Sequence, residues 1–497
     1  MAHSLTRLTF ALFALVPCSA VLVGACGSAA SIGDGPDSGG DGSIQWNNEG
    51  GLPGVEIGVD GSSGGDGTTP CSGLACQIHS CPGGGSTTIS GKVFDPAGKD
   101  PLYDIVVYVP NAKLDPLPSG ASCDSCGSLF SGQPIASALT DSSGAFTIKN
   151  APDGDNIPIV VQVGKWRMKF TIPHVAACTN NAQADGSLHL PKNRNDGADP
   201  STTNIPNIAI STGGADTLEC LLRRIGVDSS EYGGGGSSAG RIHIFQGSSN
   251  GKGSAPNTSP GGPSSPTALW ATSADLMAYD IVLLSCEGSE TRSMNQQALH
   301  DYASAGGRVF ASHFHYSWFN TGPYGSENLA TWTTGSNSMG KIRSTINTSF
   351  PKGKSLDEWL GVVGALDSGG ELPIDAAKHN ADVSASNTAS TTWISSDSAA
   401  SPPNATQYFS FNTPTNATIN PDSGSPNYCG RVVFSDLHVG AASGDNPKQP
   451  IPDECATGDL SAQEKALEFM LFDLSSCVEP PTATPSDPID SGPIAIH

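Results

Sequence analysis

The stretches that decide the fold are Tyr279–Glu290 (YDIVLLSCEGSE) and Gly306–Phe319 (GGRVFASHFHYSWF). Each contains a short apolar run, Ile281–Leu284 or Val309–Ala311, that polar residues follow at once. Short apolar runs separated by a helical segment are typical of neighbouring parallel strands in an open sheet. Such sheets bind ligands in a crevice at the carboxyl ends of their strands. The sequence therefore predicts a functional crevice beside these two stretches.

Strands and helices alternate between residues 206 and 478, which is the pattern of an α/β open, mostly parallel sheet. The last helix is marked by a capping box of Ser461 and Glu464 in front of an apolar stripe. Residues 320–428, rich in Ser, Thr, Asn and Gly, form an insertion that either shapes a pocket or only decorates the sheet. The predicted strands are Ile208–Ser211, Arg241–Phe245, Asp280–Ser285, Arg308–Ser312 and Gly430–Ser435.

Residues 87–175 form a separate all-β body, so the fold class is multidomain. Short β-branched or aromatic runs alternate there with turn formers, which predicts a small antiparallel sandwich. Residues 176–205 are expected to be a linker. The runs Ser90–Phe94 (SGKVF) and Thr140–Ile148 (TDSSGAFTI) resemble the carboxypeptidase regulatory-like domain, a prealbumin-like β-sandwich. The resemblance implies a spacer or binding module without peptidase chemistry.

The second body resembles the class I glutamine amidotransferase-like superfamily, and within it the ThuA-like trehalose-utilization proteins. The resemblance rests on Tyr279–Leu284, on Ala303–His313 (ASAGGRVFASH) and on Gly430–Ser435 (GRVVFS). A glutaminase of this type needs a cysteine nucleophile on a tight strand-to-helix turn. This chain has Ser312 and His313 at the matching turn. The resemblance therefore implies the scaffold without amidotransferase activity.

Polar side chains that follow the predicted strands form the candidate site. His-x-His and Asp-x-His spacings send both ligand-type residues to one side of an extended backbone. Three histidines, His313, His315 and His438, could hold zinc or another divalent ion. The alternative is a hydrogen-bonded network that ties loops to the sheet. The candidate residues are Glu287, His313, His315, Asp436 and His438.

Three further residues near this edge each have two interpretations. Tyr316 and Trp318 could stack on a sugar ring, or they could pack in the core. Cys286 could be a nucleophile together with Glu287 and a histidine. The expected role is a buried structural cysteine, because the strand before it is apolar and no basic residue is adjacent.

Residues 1–25 have the pattern of an export signal, with Arg7 before an apolar stretch. The run Val23–Cys26 (VGAC) resembles the bacterial lipobox, which implies a lipid-modified Cys26 and a cell-envelope location; the alternative is an ordinary signal peptide. Residues 26–86 are rich in Gly, Ser and Asp and are expected to be a disordered tether. Residues 479–497 are expected to be a disordered tail.

Charge and cysteine content restrict the partners and the compartment. A formal net charge of −23, with 24 Lys and Arg among 497 residues, argues against nucleic-acid binding. Of 13 cysteines, Cys18 and Cys26 belong to the signal and the lipid site, and Cys286 is the expected free thiol. The other ten could form five disulfides outside the cytoplasm. The CxxC motif of Cys123 and Cys126 is expected to be a structural disulfide rather than a zinc or redox site.

The leading expectation is a cell-envelope lipoprotein whose amidotransferase-like domain binds a small ligand, carbohydrate being one candidate, without catalysis. The first alternative is a metal-assisted hydrolase or sugar-modifying enzyme that uses His313, His315 and His438. The second alternative is a structural envelope or adhesion protein. The sequence identifies no definite cofactor, and a divalent metal such as zinc is the candidate.

Overall fold

The described residues of the computed structural model contain one ten-stranded β-sheet, two four-stranded sheets and one two-stranded sheet. The protein is strand-rich and has few helices. The described residues lie within one compact unit, Pro53–His497. The predicted signal, Cys26 and residues 27–70 of the predicted tether lie outside the description. The residues that the structure describes are 71–124, 127–197, 199–236, 240–247, 265–291, 293–421, 424–438, 451–487 and 489.

The strands are β1 Thr88–Phe94, β2 Val106–Pro110, β3 Pro134–Leu139, β4 Ala145–Ile148, β5 Gly154–Val163, β6 Trp166–Val175, β7 Asn180–Ala182, β8 Leu188–His189, β9 Ile208–Ser211, β10 Tyr232–Gly234, β11 Ile242–Phe245, β12 Ile281–Leu284, β13 Arg308–Ser312, β14 Thr331–Trp332, β15 Ser338–Ile346, β16 Leu372–Lys378, β17 Ala381–Asp382, β18 Thr391–Ser396, β19 Thr406–Thr413 and β20 Gly430–Ser435. The helices are α1 Leu218–Arg224, α2 Pro266–Leu269, α3 Ser273–Leu276, α4 Gln296–Ser304, α5 Pro351–Val362 and α6 Ala462–Ser475.

The small sheets lie at the start of the described chain. One contains β4, β1, β7 and β8, and the other has the order β3-β2-β5-β6. Apolar side chains from both, such as Ile89 and Val107, belong to one buried core, which is consistent with a β-sandwich. Strands β7 and β8 lie inside residues 176–205 and pair with β1. That segment, expected to be a linker, therefore contributes strands to the first sheet.

Residues 71–86 were predicted to be part of a disordered tether, but disulfides hold them in an ordered conformation. Cys71 pairs with Cys76, and Cys81 pairs with Cys178, which lies between β6 and β7. Ile78 between them is 1% exposed. Composition predicts a tether here because the segment has few apolar residues. A disulfide can hold such a segment in place without a large core of its own.

The large sheet has the strand order β10-β11-β9-β12-β13-β20-β19-β18-β15-β16. The first six strands pair in parallel and the last five pair antiparallel, with β20 belonging to both groups. Strands β12 and β13 are parallel neighbours with Ile281 opposite Arg308, so their predicted pairing is confirmed. Because β9, β12, β13 and β20 are parallel, their carboxyl ends meet at one edge of the sheet.

The insertion at residues 320–428 extends the sheet rather than lying over it as loops. It contributes β15, β16, β18 and β19 to the sheet. Every residue of β19 is buried, because the strand is covered on both faces. A strand of this kind has no polar–apolar alternation, so sequence periodicity does not reveal it.

Disulfides link distant parts of the chain. Cys123 pairs with Cys429 just before β20, and Cys220 of α1 pairs with Cys455. Cys123 therefore does not pair with the other cysteine of its CxxC motif. The fold instead brings the Cα atoms of Cys123 and Cys429 to within 4.6 Å of each other. Cys286 is free and buried, as predicted. Within the described part of the chain, no helix is long and apolar enough to cross a bilayer.

A buried charge cluster includes one residue of helix α6, Asp473. Its other members are Asp104, Lys352 and Arg431. The Lys352 Nζ atom lies 2.7 Å from Asp473 Oδ1 and 3.3 Å from Asp104 Oδ2. Arg431 Nη1 lies 2.6 Å from the other oxygen of Asp473. The cluster joins the segment before β2, helix α5, strand β20 and helix α6. It thus ties the predicted sandwich to the large sheet.

The same helix carries a buried carboxyl group at Glu468. Neither oxygen of Glu468 has a hydrogen-bond donor among its described neighbours. The carboxyl group interacts with the carboxyl group of Asp100. Burial, followed by the nearby charges of Asp95 and Asp100, raises the pKa of Glu468 well above its usual value. Burial also raises the pKa of Asp95 to about 7.

The contribution of these carboxyl groups to stability is expected to fall as pH rises. The folded protein keeps protons on them that the unfolded chain releases from pH about 4 upward, so their contribution to the free energy of unfolding decreases between pH about 4 and about 7. Each retained proton contributes about 1.4 kcal/mol per pH unit. Urea denaturation at several pH values should show that the free energy of unfolding of Glu468→Gln, compared with that of the wild type, changes in the positive direction as pH rises. Glu358→Gln, on the exposed side of α5, should keep the wild-type slope; equal slopes in all three proteins would contradict the prediction.

Candidate functional site

Buried polar side chains gather where β9, β12, β13 and β20 end. Each is at most 6% exposed. The loop after β9 passes very close to this edge, since a Cβ atom on Gly213 would lie 2.0 Å from the carbonyl oxygen of Cys286. Only glycine allows that approach. The side chains are Asp216, Cys286, Glu287, His313, His315, Asp436 and His438.

Three potential metal-ligand atoms converge in this cluster. Cys286 Sγ lies 3.3 Å from His313 Nδ1, and His438 Nε2 lies 3.0 Å from the same nitrogen. All three ligand atoms lie within 4.8 Å of one another. We call these residues the Cys-His-His group. They come from the ends of three adjacent parallel strands, β12, β13 and β20.

The hydrogen positions in the Cys-His-His group are constrained by Ser336. His313 Nε2 lies 3.0 Å from the Ser336 carbonyl oxygen, which can only accept, so Nε2 carries the hydrogen and Nδ1 carries a lone pair. That one lone pair faces both the Cys286 thiol and His438 Nε2. It can accept a hydrogen bond from only one of them. Protein hydrogen bonds alone therefore leave the group incompletely satisfied, whereas a cation could accept lone pairs from all three atoms.

An unusual backbone conformation brings His313 into the group. Its φ of +45° lies in the left-handed region, which non-glycine residues seldom adopt and which is often found at functional sites. This turn ends β13 and begins a 3-10 helix, His313–Trp318. The resemblance to amidotransferases implies a nucleophile at this turn. An imidazole occupies it here.

Cys286 has a more polar environment than that of a purely structural cysteine. Besides His313, its sulfur accepts hydrogen bonds from the backbone N–H groups of Gly288 and Phe314. Burial nevertheless raises the pKa of Cys286 to about 12, and burial lowers the pKa of His313 and that of His438 to about 3 each. In the protein alone, the thiol and both imidazoles are neutral.

His315 lies outside the Cys-His-His group, which corrects the predicted ligand set of His313, His315 and His438. Residues 313–318 form a 3-10 helix, so the alternation expected of extended backbone does not apply. His315 Nδ1 donates to the Ser312 carbonyl oxygen at 3.0 Å. Its Nε2 faces Glu287 Oε1 at 4.0 Å. His315 and Glu287 thus form a separate buried pair, and Cys286 occupies the place predicted for His315.

Asp436 anchors a loop to the sheet. Its Oδ2 atom accepts hydrogen bonds from the backbone N–H groups of Asn380 and Ala381, at 2.7 and 3.0 Å. Burial raises the pKa of Asp436 to about 8. Its bonding corresponds to the alternative interpretation, in which polar residues tie loops to the sheet.

Tyr316 and Trp318 pack in the core. Both are fully buried. Trp318 makes an edge contact with Trp270, with ring centroids 5.0 Å apart, and Tyr316 donates a hydrogen bond to Glu290. Neither ring presents a face on which a sugar could stack. The sequence names them as ligand candidates because they follow the histidines, but it does not reveal which way the 3-10 helix turns them.

Comparisons with known proteins give no family for this chain. No protein-family model matches it, and no curated protein is significantly similar. Two solved structures of a type II cohesin–X-dockerin complex from Acetivibrio cellulolyticus, an N-terminal and a C-terminal interface mutant, are 16% and 14% identical, with TM-scores of 0.15 and 0.14. Each match covers 31% of this chain and 79% of the other. Such low TM-scores carry no argument about fold or function.

Proposed function

We propose that this protein is an exported metal-binding protein that holds a divalent transition-metal ion between Cys286, His313 and His438. The observation that carries the proposal is the convergence of one thiol and two imidazole nitrogens on a single point. Thiolate and imidazole are the ligands that zinc and related ions prefer, whereas calcium and magnesium prefer oxygen. The donor set therefore favours zinc or a similar ion.

The distances fit such an ion after a small adjustment. With Zn–N bonds of about 2.0–2.1 Å and a Zn–S bond of about 2.3 Å, donors around a tetrahedral ion are roughly 3.3–3.7 Å apart. His313 Nδ1 lies 3.3 Å from Cys286 Sγ and 3.0 Å from His438 Nε2, so each of these two pairs needs to separate by roughly a few tenths of an ångström. The third pair lies within 4.8 Å. The bond from His313 Nε2 to Ser336 is the second contact that metal-bound histidines usually make.

The proposed oxidising compartment favours metal coordination of the free Cys286 thiol. Four disulfides among the described residues support an oxidising compartment. In such a compartment a free cysteine is at risk of oxidation, and metal coordination protects it. The ion is then held in an amidotransferase-like scaffold that is tethered to the cell envelope through Cys26. Those two features rest on the sequence resemblances alone.

The competing function is covalent catalysis by Cys286. Its sulfur lies 3.3 Å from His313 Nδ1 and accepts backbone hydrogen bonds, a combination that nucleophilic cysteines use. Two features argue for the metal. Cys286 has no exposed surface, and His438 approaches the very nitrogen that would have to act as the base.

The test is metal analysis of the full-length protein purified without chelators. We expect about one zinc or similar ion per chain, because the three ligands form one site. After exchange for Co²⁺, a thiolate-to-cobalt charge-transfer band should appear and should be absent in Cys286→Ser. The control is His379→Ala, which removes a partly exposed histidine paired with Asp382. A protein that takes up neither ion, and whose Cys286 is rapidly alkylated, would overturn the proposal in favour of the thiol enzyme.

A further inference from the structure

The second small sheet, β3-β2-β5-β6, has buried apolar side chains on both faces. Val107 and Val161 belong to the core that the sheet shares with its neighbours, whereas Val106 and Val160, one position away on the same strands, belong to a separate cluster on the opposite face. The outer face of an antiparallel sheet is commonly polar, because water covers it. This face is apolar and therefore needs a cover. We call its buried residues the outer cluster: Val106, Tyr108, Leu114 and Val160.

Two segments of the chain cover the outer cluster. The first lies between β2 and β3, and its Phe130 makes an edge contact with Tyr108, with ring centroids 5.9 Å apart. The second follows helix α6, and its Ile489 packs against the same cluster. We call residues 480–489 the tail segment; the structure describes 480–487 and 489. The tail segment is thus one part of the cover.

The tail segment has no polar attachment to the sheet within the described part of the chain. Glu479, the residue before it, is anchored, since its carbonyl oxygen accepts hydrogen bonds from Asn412 Nδ2 at 2.9 Å and Arg431 Nη2 at 3.2 Å. The described hydrogen bonds of residues 480–489 stay within the segment. The segment can therefore leave the sheet without breaking a polar contact to it.

The fit between the tail segment and the sheet is incomplete. A cavity of about 90 Å³ is bounded by Pro485 and Ser486 of the segment and by Val106, Phe130 and Leu139 on the side that the segment covers. Apolar walls that face empty space lose the contacts a closer neighbour would make. Another extended segment could fill this space at least as well.

We propose that the outer cluster is the floor of a binding groove for an extended, proline-containing segment of a partner protein. The tail segment occupies this groove in cis until the partner displaces it. The tail segment itself indicates the chemistry that fits, with prolines at positions 480, 481, 485 and 488 and the branched apolar Ile489 on the cluster. Proline-rich segments are extended before they bind, and aromatic side chains commonly line their grooves. The inference does not depend on the proposed metal site.

The probe is a synthetic peptide of residues 480–497 with a fluorophore at its amino end. Fluorescence anisotropy measures its binding to the full-length protein and to a protein that stops after Glu479. The shortened protein should bind the peptide saturably. The full-length protein should bind it at least about tenfold more weakly, because its own tail segment competes at an effective concentration of about millimolar. A peptide with Ile489→Asp should bind the shortened protein at least about tenfold more weakly, since a charge cannot replace the isoleucine on an apolar cluster.

Full-length Ile489→Asp keeps the whole chain and should bind the wild-type peptide nearly as well as the shortened protein does. Ile419→Asp is the matched control, because Ile419 is 59% exposed and lies outside the outer cluster. It should bind the peptide as weakly as the wild type. Thermal melting of each variant checks that it is folded.

Two results would overturn the inference. In the first, folded Ile489→Asp and the shortened protein both bind the peptide no better than the wild type does. In the second, size-exclusion chromatography shows a dimer of the full-length protein that the shortened protein does not form, which would assign the groove to the tail segment of a second copy.

Discussion

Replacement of Asp473 by alanine is expected to lower the free energy of unfolding by about 3–5 kcal/mol. The carboxylate sits between two buried cations, 2.7 Å from Lys352 Nζ and 2.6 Å from Arg431 Nη1. Burial raises the pKa of Asp473, but the charges of Lys352 and Arg431 outweigh it and hold that pKa below its usual value. Without the carboxylate, Arg431 loses its ionic partner, and Lys352 keeps the more distant Asp104 and the Ser476 hydroxyl.

Chemical denaturation followed by circular dichroism, with the disulfides intact, measures this loss. Asp375→Ala is the control because Asp375 pairs with Lys341 at the surface, where the side chains are 62% and 81% exposed. Removing an exposed pair of this kind changes stability by about 1 kcal/mol or less. If the free energy of unfolding falls by the same small amount in both variants, the charge cluster does not hold the small sheets against the large one.

His313→Ala is expected to weaken metal binding by more than about 100-fold. Removing a residue that only supports a metal ligand typically costs 10–100-fold, and His313 is proposed to be a ligand itself. Competition with a chromophoric chelator measures the affinity. His315→Ala is the matched comparison, because His315 lies two residues away and is equally buried but lies outside the Cys-His-His group. Its affinity should fall less than tenfold.

The pair of variants separates two hypotheses. A ligand set of His313, His315 and His438, as the sequence spacing predicts, requires both variants to lose the ion. The Cys-His-His group requires only His313→Ala to lose it. Retention of the ion by His313→Ala, in a folded protein, would contradict the proposed centre altogether.

Local patterns were enough to predict the elements that surround the site. The apolar runs at Ile281–Leu284 and Val309–Ala311 indicate parallel neighbours, and their pairing is confirmed. The capping box of Ser461 and Glu464 marks the start of α6, with both hydrogen bonds present. Both signals depend on residues that are close in sequence. Polar residues directly after the strands were also recognised, because parallel strands bring their carboxyl ends together.

Local patterns failed where the backbone changed its regular geometry. The His-x-His spacing predicts a shared side only on extended backbone, and a 3-10 helix begins at His313. The CxxC motif predicts a structural disulfide but not its partner, and Cys123 pairs with Cys429, 306 residues away. Strand β19 within residues 320–428 is buried along its whole length, so alternation of polar and apolar residues does not mark it.

The sequence by itself determined which residues end strands and which of those residues could bind a metal. Only the tertiary structure decided that Cys286 joins His313 and His438, while His315 turns toward Glu287. The partners of His313 are 27 and 125 residues away along the chain. Their meeting depends on the strand order of the sheet and on the left-handed turn at His313. Neither has a local sequence signal, because contacts between distant segments are decided by how the whole core packs.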